Sequence, residues 1–218
     1  MSQGKTRVAI LISGRGSNMR SLVEAARAKD FPAEIALVLS NVASAEGLEF
    51  ARKQGVDTAV VDHRRFADRE SFEREMQATL TKHAIHLICL AGFMRLLTPW
   101  FVEQWRDRML NIHPALLPSY RGLHTHERAL ADGVKIHGAT VHFVAPEVDA
   151  GPIVTQAAVP VLDSDTPETL AARVLEQEHR IYPLALKLVA AGAARVNGAR
   201  VGVEVKGAVP AALVWPTE

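Results

Sequence analysis

Residues 8–18 read VAILISGRGSN, and this stretch decides the fold. Residues 8–13 form a short, mainly apolar run that is typical of a buried strand, and a turn containing Gly14 and Gly16 follows. From Ser17 to residue 29, apolar residues recur at helical spacing, which predicts an amphipathic helix with Ser17 or Asn18 as its N-cap. A strand, a tight turn and a helix in this order predict a βα unit of a parallel sheet.

The same alternation continues along the chain as far as residue 113. Further strands are predicted at residues 35–39, 58–61, 87–93 and 109–113, and further helices at residues 45–54 and 69–83. Residues 115–123 then contain two turns bounded by proline, and we expect them to form a loop. Loops of this kind often carry functional residues.

The C-terminal third is predicted to have a different arrangement. A helix is predicted at residues 124–132, followed by strands at 136–144 and 151–161 whose short connection favours antiparallel pairing. A long helix is predicted at 167–191, with Pro183 expected to kink or interrupt it. Asn197-Gly198 predicts a type I′ hairpin between residues 194–196 and 201–205.

The composition is that of one folded domain. The 218 residues are 48% hydrophobic and 22% charged with a net charge of +1, which excludes disorder for most of the length. We expect a single α/β domain over residues 1–218, with a mainly parallel open sheet, an antiparallel C-terminal part and a frayed tail at about 207–218.

Charge and hydropathy also limit the partners and the location. A nearly neutral chain offers no general field for nucleic acid. No apolar run reaches the roughly 18 residues that span a bilayer, and the polar start does not resemble a signal peptide, so we expect a cytoplasmic protein without membrane contact. The single cysteine, Cys89, lies in an apolar run and is expected to be a buried, inert thiol.

In open α/β sheets, ligands bind beyond the carboxyl ends of the strands. The turn at residues 13–18 lies at such an end, and its glycines would let backbone N–H groups approach a phosphate at a helix N-terminus. The same residues could simply form a tight turn with a capped helix. Residues 94–97 follow the fourth strand, where they could line a slot for a flat ring or continue the core.

Asn111 and His113 form the second candidate site, because residues two apart on a strand point to one face. Their Cα atoms should lie roughly 6.5 Å apart. An amide donor for an oxyanion and an imidazole that moves a proton are what acyl transfer needs, although both could merely satisfy a buried strand end. Asp149 could partner His113, or it could be a turn residue before Gly151.

Two other classes of site find no support in the motifs. Nine histidines occur, but there is no His-Glu-x-x-His motif and no pair of cysteines, so we expect no metal site. No Gly-x-Ser-x-Gly elbow is present, which argues against a serine nucleophile.

Several strings resemble the glycinamide ribonucleotide formyltransferases of purine biosynthesis, and the resemblance runs in order from about residue 7 to residue 188. The strings are SGRGSN at 13–18, LAGFMR at 90–95, NIHPALLP at 111–118, HGATVH at 137–142 and DAGP at 149–152.

This resemblance implies a Rossmann-like formyltransferase fold and the co-substrate 10-formyltetrahydrofolate, with glycinamide ribonucleotide as the acceptor and no metal. It implies a monomer or homodimer with small molecules as its partners. The implied catalytic residues are Asn111, His113 and Asp149. Gly16, Ser17 and Asn18 would hold the substrate phosphate, and Glu178 would contact its ribose. Folate would lie against Met94, Arg95, Leu96, Leu97, Ala145, Pro146, Glu147, Val148 and Asp149, with Arg69 near its glutamate tail.

Other activities remain as alternatives. A formyltetrahydrofolate hydrolase would use the same three residues to direct water, and we expect it to carry an additional N-terminal regulatory domain. A methionyl-tRNA formyltransferase would continue into a basic C-terminal barrel. A phosphate-binding module would not need the three intact residues. A nucleotide-dependent oxidoreductase would need a third glycine where Met19 stands.

Overall fold

Seven strands form the main sheet of the computed structural model, which describes residues 4–204 and 215–216. They are β1 (Thr6–Ile12), β2 (Ala33–Ser40), β3 (Thr58–Val60), β4 (Leu87–Leu90), β5 (Met109–His113), β6 (Ile136–Phe143) and β7 (Ile153–Pro160). The helices are α1 (Ser17–Ala26), α2 (Glu46–Lys53), α3 (Arg69–Lys82), α4 (Pro99–Gln104), α5 (Thr125–Ala131) and α6 (Pro167–Ala190). A 3₁₀ turn at His63–Arg65 precedes α3.

The strand order is β3-β2-β1-β4-β5-β6-β7. The first five strands are parallel, whereas β6 and β7 pair antiparallel. This confirms the predicted mainly parallel sheet with an antiparallel C-terminal part. The chain runs outward from β1 to β3 and returns at β4, so the carboxyl ends of β1 and β4 flank the crevice in which such sheets bind ligands.

Both faces of the sheet are covered, which explains the continuous apolar runs in its strands. Val8, Ile10 and Ile12 of β1 belong to the core on one face, together with buried residues of α1, α2 and α6. Ala9 and Leu11 belong to the core on the other face, with residues of α3 and α4. Side chains of β1 therefore pack alternately into the two cores, and the strand ends at the glycine turn, residues 14–16, between the two layers of helices.

Some element boundaries differ from the sequence prediction. Strand β4 ends at Leu90 rather than at residue 93, and Gly92 adopts a φ of 74°. The short helix α4 was not predicted. The interruption expected at Pro183 is wrong, because α6 continues through it with buried residues on both sides. Burial of that apolar face offsets the roughly 3 kcal/mol that an internal proline costs.

The C-terminal hairpin is confirmed as β8 (Ala194–Asn197) and β9 (Arg200–Val203), but the turn predicted at Asn197-Gly198 is wrong: Asn197 pairs with Arg200, so the turn consists of Gly198, with a φ of 62°, and Ala199. The predicted tail at about 207–218 and residue 205 lie outside the described residues, apart from 215 and 216. The Trp215 indole donates a hydrogen bond to the Val161 carbonyl at 3.3 Å. Within the described ranges, no helix is both long and apolar enough to cross a membrane.

Two glycines bring backbones unusually close at the β6–β7 end of the sheet. A Cβ atom on Gly138 would lie 2.0 Å from the Ala157 carbonyl oxygen, and one on Gly151 would lie 1.8 Å from the Phe143 carbonyl oxygen. Neither position can accept a side chain without moving a strand. Gly151 thereby anchors the loop at residues 144–150 to the end of β6.

Candidate active site

Strands β5 and β6 bring the polar residues of the site together. Asn111 and His113 lie two apart on β5, as predicted, and Asn111 pairs in register with His142 of β6. His113 is buried and Asn111 is half-buried. No role for His142 was predicted, because its position opposite Asn111 depends on how two strands pair, and the two residues are 31 positions apart in the sequence.

One hydrogen of the Asn111 amide is held by His142. Asn111 Nδ2 lies 3.2 Å from His142 Nε2, and His142 Nδ1 lies 2.9 Å from the Phe143 carbonyl oxygen. A carbonyl can only accept, so Nδ1 carries a hydrogen, and Nε2 is the nitrogen that accepts from Asn111 or, when it carries a hydrogen, faces Asp149 Oδ1 at 3.7 Å. The second N–H of Asn111 stays free to donate to another group.

His113 and Asp149 meet although they are 36 positions apart in the sequence. His113 Nδ1 lies 3.3 Å from Asp149 Oδ2, and His113 Nε2 lies 2.9 Å from the Tyr120 carbonyl oxygen. The backbone N–H of Gly122 donates to Asp149 Oδ2 at 2.9 Å. Asp149 has a φ of 51°, so it is a turn residue and a neighbour of His113 at once.

The environment shifts the pKa of both partners. Burial lowers the pKa of His113, while the Tyr120 carbonyl and the Asp149 charge oppose that effect. Burial alone would raise the pKa of Asp149, but its contacts with His142, the Gly122 N–H and His113 lower it overall. The Asp149 carboxylate therefore favours its charged form, and together with the Tyr120 carbonyl it favours the charged form of the imidazole.

A first cleft of about 160 Å³ opens beside this group. Asn111, His142 and Asp149 line it, whereas His113 lies behind Asp149. Six of the predicted folate residues also line it, namely Arg95, Leu96, Leu97, Ala145, Pro146 and Val148. Met94, Glu147 and Arg69 are not among the lining residues. The cleft is smaller than the ~300–1,000 Å³ of sites that enclose drug-sized ligands, so it can take only part of such a molecule.

A second cleft of about 320 Å³ surrounds the glycine turn, and residues 13–18, Ala91, Gly92 and Met94 line it. Met94 belongs here because its backbone N–H donates to Ser13 Oγ at 2.8 Å. The predicted N-cap is wrong: Gly16, with a φ of 70°, precedes α1 and no side chain caps the helix. The first N–H groups of α1 thus remain free for an anion.

Asn18 connects the second cleft to helix α6. Its Nδ2 donates to Glu178 Oε2 at 2.6 Å, and both side chains are buried. Burial raises the pKa of Glu178, and Asn18 opposes this rise. The predicted ribose ligand therefore lies next to the predicted phosphate turn. Among the described residues, no three histidine, cysteine or acidic side chains lie close enough together to hold a metal ion.

Comparison with known proteins identifies the family. A family model described as formyl transferase matches residues 6–186. The trifunctional purine biosynthetic protein adenosine-3 of Gallus gallus is 49% identical over 195 residues, which are 89% of this chain but only 19% of that protein, so the chain spans about a fifth of its length. The phosphoribosylglycinamide formyltransferase of Escherichia coli is 43% identical over 190 residues, which are 87% of this chain and 90% of that protein.

Solved structures lead to the same family. Glycinamide ribonucleotide transformylase 1 from Symbiobacterium toebii has a TM-score of 0.89 and 44% identity, covering 92% of this chain and 95% of its own. A formyltetrahydrofolate deformylase from Pseudomonas syringae is more distant, with a TM-score of 0.85, 26% identity and coverage of 93% and 66%. The resemblance seen in the sequence is confirmed. The chain belongs to the formyl transferase family, among the phosphoribosylglycinamide formyltransferases.

Proposed function

We propose that the chain transfers the formyl group of 10-formyltetrahydrofolate to the amine of glycinamide ribonucleotide. The observation that carries this proposal is the way residues 90–95 divide between the clefts. Leu90, Phe93 and Arg95 line the first cleft, while Ala91, Gly92 and Met94 line the second. A donor in one cleft and an acceptor in the other would therefore meet at the end of β4, next to Asn111.

Each cleft suits one of the two substrates. The first is lined mainly by apolar residues, as a flat folate ring requires. The second offers the uncapped N-terminus of α1 to a phosphate, with Glu178 fixed beside it for a ribose hydroxyl. In the proposal Gly16, Ser17 and Asn18 hold the phosphate, and Arg95 to Leu97 and residues 145–148 surround the folate.

The reaction then needs an oxyanion donor and a proton carrier. The amine attacks the formyl carbon, and a C–N bond forms. The carbonyl oxygen becomes an oxyanion, which accepts a hydrogen bond from the free N–H of Asn111. As the intermediate collapses, the bond from carbon to N10 breaks. The amine loses one proton and N10 gains one. Because the amine attacks the formyl carbon directly, no covalent enzyme intermediate is needed.

We assign the proton transfer to the Asp149–His113 pair. Asp149 lines the first cleft, so it is the member of the pair that can meet the substrate. His113 faces it from behind at 3.3 Å and can store or return a proton through it. The family resemblance names the same two residues. The proposal also implies a cytoplasmic enzyme, either monomeric or homodimeric.

One assay tests this function against its closest alternative. The purified chain is incubated with 10-formyltetrahydrofolate, and release of tetrahydrofolate is followed with and without glycinamide ribonucleotide. We expect release only when the ribonucleotide is present, with formylglycinamide ribonucleotide formed in equal amount. Release without the acceptor would contradict the proposal and assign the chain as a hydrolase.

A further inference from the structure

Residues 119–124, here called the strap, hold His113 and Asp149 through backbone groups alone. The Tyr120 carbonyl accepts from His113 Nε2 at 2.9 Å, and the Gly122 N–H donates to Asp149 Oδ2 at 2.9 Å. Both bonds come from residues two apart in one short segment. The position of the strap therefore determines how the imidazole faces the carboxylate.

The backbone of the strap is strained. Tyr120 has a φ of 56° and His124 has a φ of 57°, although neither is glycine. Such conformations are unfavourable for residues with a side chain and persist only where surrounding contacts enforce them. Some group outside the strap must therefore hold it in place.

Arg128, on helix α5, makes those contacts. Its Nη1 donates to the Arg121 carbonyl at 2.7 Å and to the Leu123 carbonyl at 3.4 Å. Its guanidinium lies 5.4 Å from the centre of the Tyr120 ring, whose edge-on neighbour is His137 at 5.6 Å. The planar guanidinium thus contacts three of the six residues of the strap. Arg128 lines neither cleft.

We propose that Arg128 is a positioning residue for the His113–Asp149 pair, acting through the strap. This inference rests on the proposed function, in which that pair moves the proton. Because the Tyr120 carbonyl can only accept, the strap keeps a hydrogen on His113 Nε2 and leaves Nδ1, next to Asp149, as the nitrogen that gains and loses a proton. Without Arg128, the strap loosens and the hydrogen can occupy either nitrogen.

The test compares Arg128→Met with the matched control Arg108→Met. Arg108 makes the same kinds of contact elsewhere: its guanidinium lies 4.9 Å from the Trp105 ring centre, and Nη2 donates to the Gln104 carbonyl at 2.6 Å. It precedes β5 and so lies at the end of the sheet opposite to the site. Both variants lose an exposed cation and keep an apolar stem.

Two measurements are made on each variant. In steady-state kinetics, we expect kcat of Arg128→Met to fall about tenfold, because the variant loses one ring contact and one or two hydrogen bonds. Both KM values should stay within about twofold of the wild-type values. In ¹⁵N-histidine NMR, assigned with a His113→Asn variant, the His113 Nε2 signal should move towards that of a ring with mixed tautomers. Arg108→Met should change neither quantity.

Three results would overturn the inference: an unchanged kcat in Arg128→Met, an equal loss in Arg108→Met, or a lower kcat with His113 nitrogen signals identical to wild type. Failure of the proposed function looks different. A wild-type chain without transferase activity would refute the function, whereas the NMR comparison would still report whether Arg128 holds His113.

Discussion

At the scale of single residues, the site depends on which hydrogen atoms remain free. His142 holds one N–H of Asn111, and Tyr120 holds the Nε2 hydrogen of His113. The free N–H of Asn111 and the Nδ1 position of His113 are the two places left for chemistry. Each belongs to a side chain that the fold fixes by another bond, from the other N–H of the Asn111 amide to His142 and from His113 Nε2 to the Tyr120 carbonyl.

The first prediction concerns the proposed oxyanion donor. Asn111→Ala should lower kcat by roughly 10²-fold or more, because one lost oxyanion donor costs about 2.7–4 kcal/mol. The variant should stay folded, since Asn111 is only half-buried and makes a single side-chain bond. Kinetics and thermal unfolding measure both quantities. Near-normal turnover of the folded variant would refute the oxyanion assignment.

The second prediction concerns the charge next to His113. Asp149 raises the pKa of this ring against the lowering effect of burial. Asp149→Asn removes the opposing charge, so the His113 pKa should fall further and the charged imidazole should be lost at a lower pH. If turnover needs that charge, the high-pH limb of the rate profile moves to lower pH. NMR titration of the His113 ring in the wild type and in Asp149→Asn measures this pKa. An unchanged or higher His113 pKa in the variant would contradict the pairing of His113 with Asp149.

Asn111, His113 and Asp149 could be located from the sequence, but the residues around them could not. Strand alternation was sufficient to place Asn111 and His113 on one face. His142 and Tyr120 could not be found in this way, because their roles depend on strand register and on a loop conformation with positive φ. Such features are determined by contacts distant in sequence, and no local pattern encodes them.

At the scale of secondary-structure elements, the glycine turn before α1 is a constrained connection at the site. A Cβ atom on Gly16 would lie 2.8 Å from Met19 Cε, and the residue has a φ of 70°. Gly47 packs against the same methionine, because its own Cβ would lie 3.0 Å from Met19 Cε. A side chain at Gly16 would therefore have to displace the end of the Met19 side chain and adopt a strained φ, whereas a Cβ atom on Gly14 would meet nothing within 4 Å.

The third prediction follows from this packing. Gly16→Val should weaken ribonucleotide binding much more than folate binding, because the side chain strains the turn and displaces the N–H groups that face the phosphate. Gly55→Val is the matched control: Gly55 has a φ of 75°, but a Cβ there meets nothing within 4 Å. Calorimetry with each ligand measures the effect. Equal losses for both ligands, or for both variants, would indicate general unfolding instead.

The fourth prediction concerns strand β6. Burial lowers the pKa of His137 to about 4, and neither of its ring nitrogens has a hydrogen-bond partner. The unfolded ring takes up a proton near pH 6.5, so falling pH favours unfolding until about pH 4, by up to about 3 kcal/mol. In His137→Phe, the free energy of unfolding should depend less steeply on pH over this range. Urea unfolding between pH 7 and pH 4 tests it, and an equally steep dependence would refute the assignment.

The long helices and most of the strands were predicted, whereas the short helix α4 was missed. Helix α4 has six residues, and its N-cap Thr98 is held by the buried carboxylate of Glu73 on α3, 25 positions away. No local signal reveals this contact. The N-cap predicted for α1 was wrong because the residue before the helix, Gly16, adopts a φ of 70°, which side chains rarely adopt, and Ser17 is the first helical residue.

At the scale of the whole molecule, helix α6 connects the core to the site. The hydroxyl of Tyr182, which is fully buried, lies 2.9 Å from the Leu90 carbonyl and 3.2 Å from the Leu110 carbonyl. These residues belong to β4 and β5, the strands that position the first cleft. The parallel sheet was predictable from the alternation of elements, but this contact between a C-terminal helix and two central strands was not.

The fifth prediction tests that connection. Tyr182→Phe should lower stability by about 1–3 kcal/mol, since it leaves buried carbonyls without their donor. Tm should then fall by roughly 2–4 °C for each kcal/mol. Differential scanning calorimetry measures the shift, and kcat at 25 °C should remain close to that of the wild type. An unchanged Tm would show that the hydroxyl contributes nothing to the packing of α6.

The close backbone approach at Gly138 and Gly151 has a consequence for experiments that score variants by growth. Even alanine at either position would overlap a carbonyl oxygen of the neighbouring chain segment, at 2.0 Å and 1.8 Å. A mutational scan would therefore rank these two glycines with Asn111, although neither lines a cleft. Libraries aimed at a new formyl donor should keep both glycines and randomise Pro146 and Val148, which are exposed and line the first cleft.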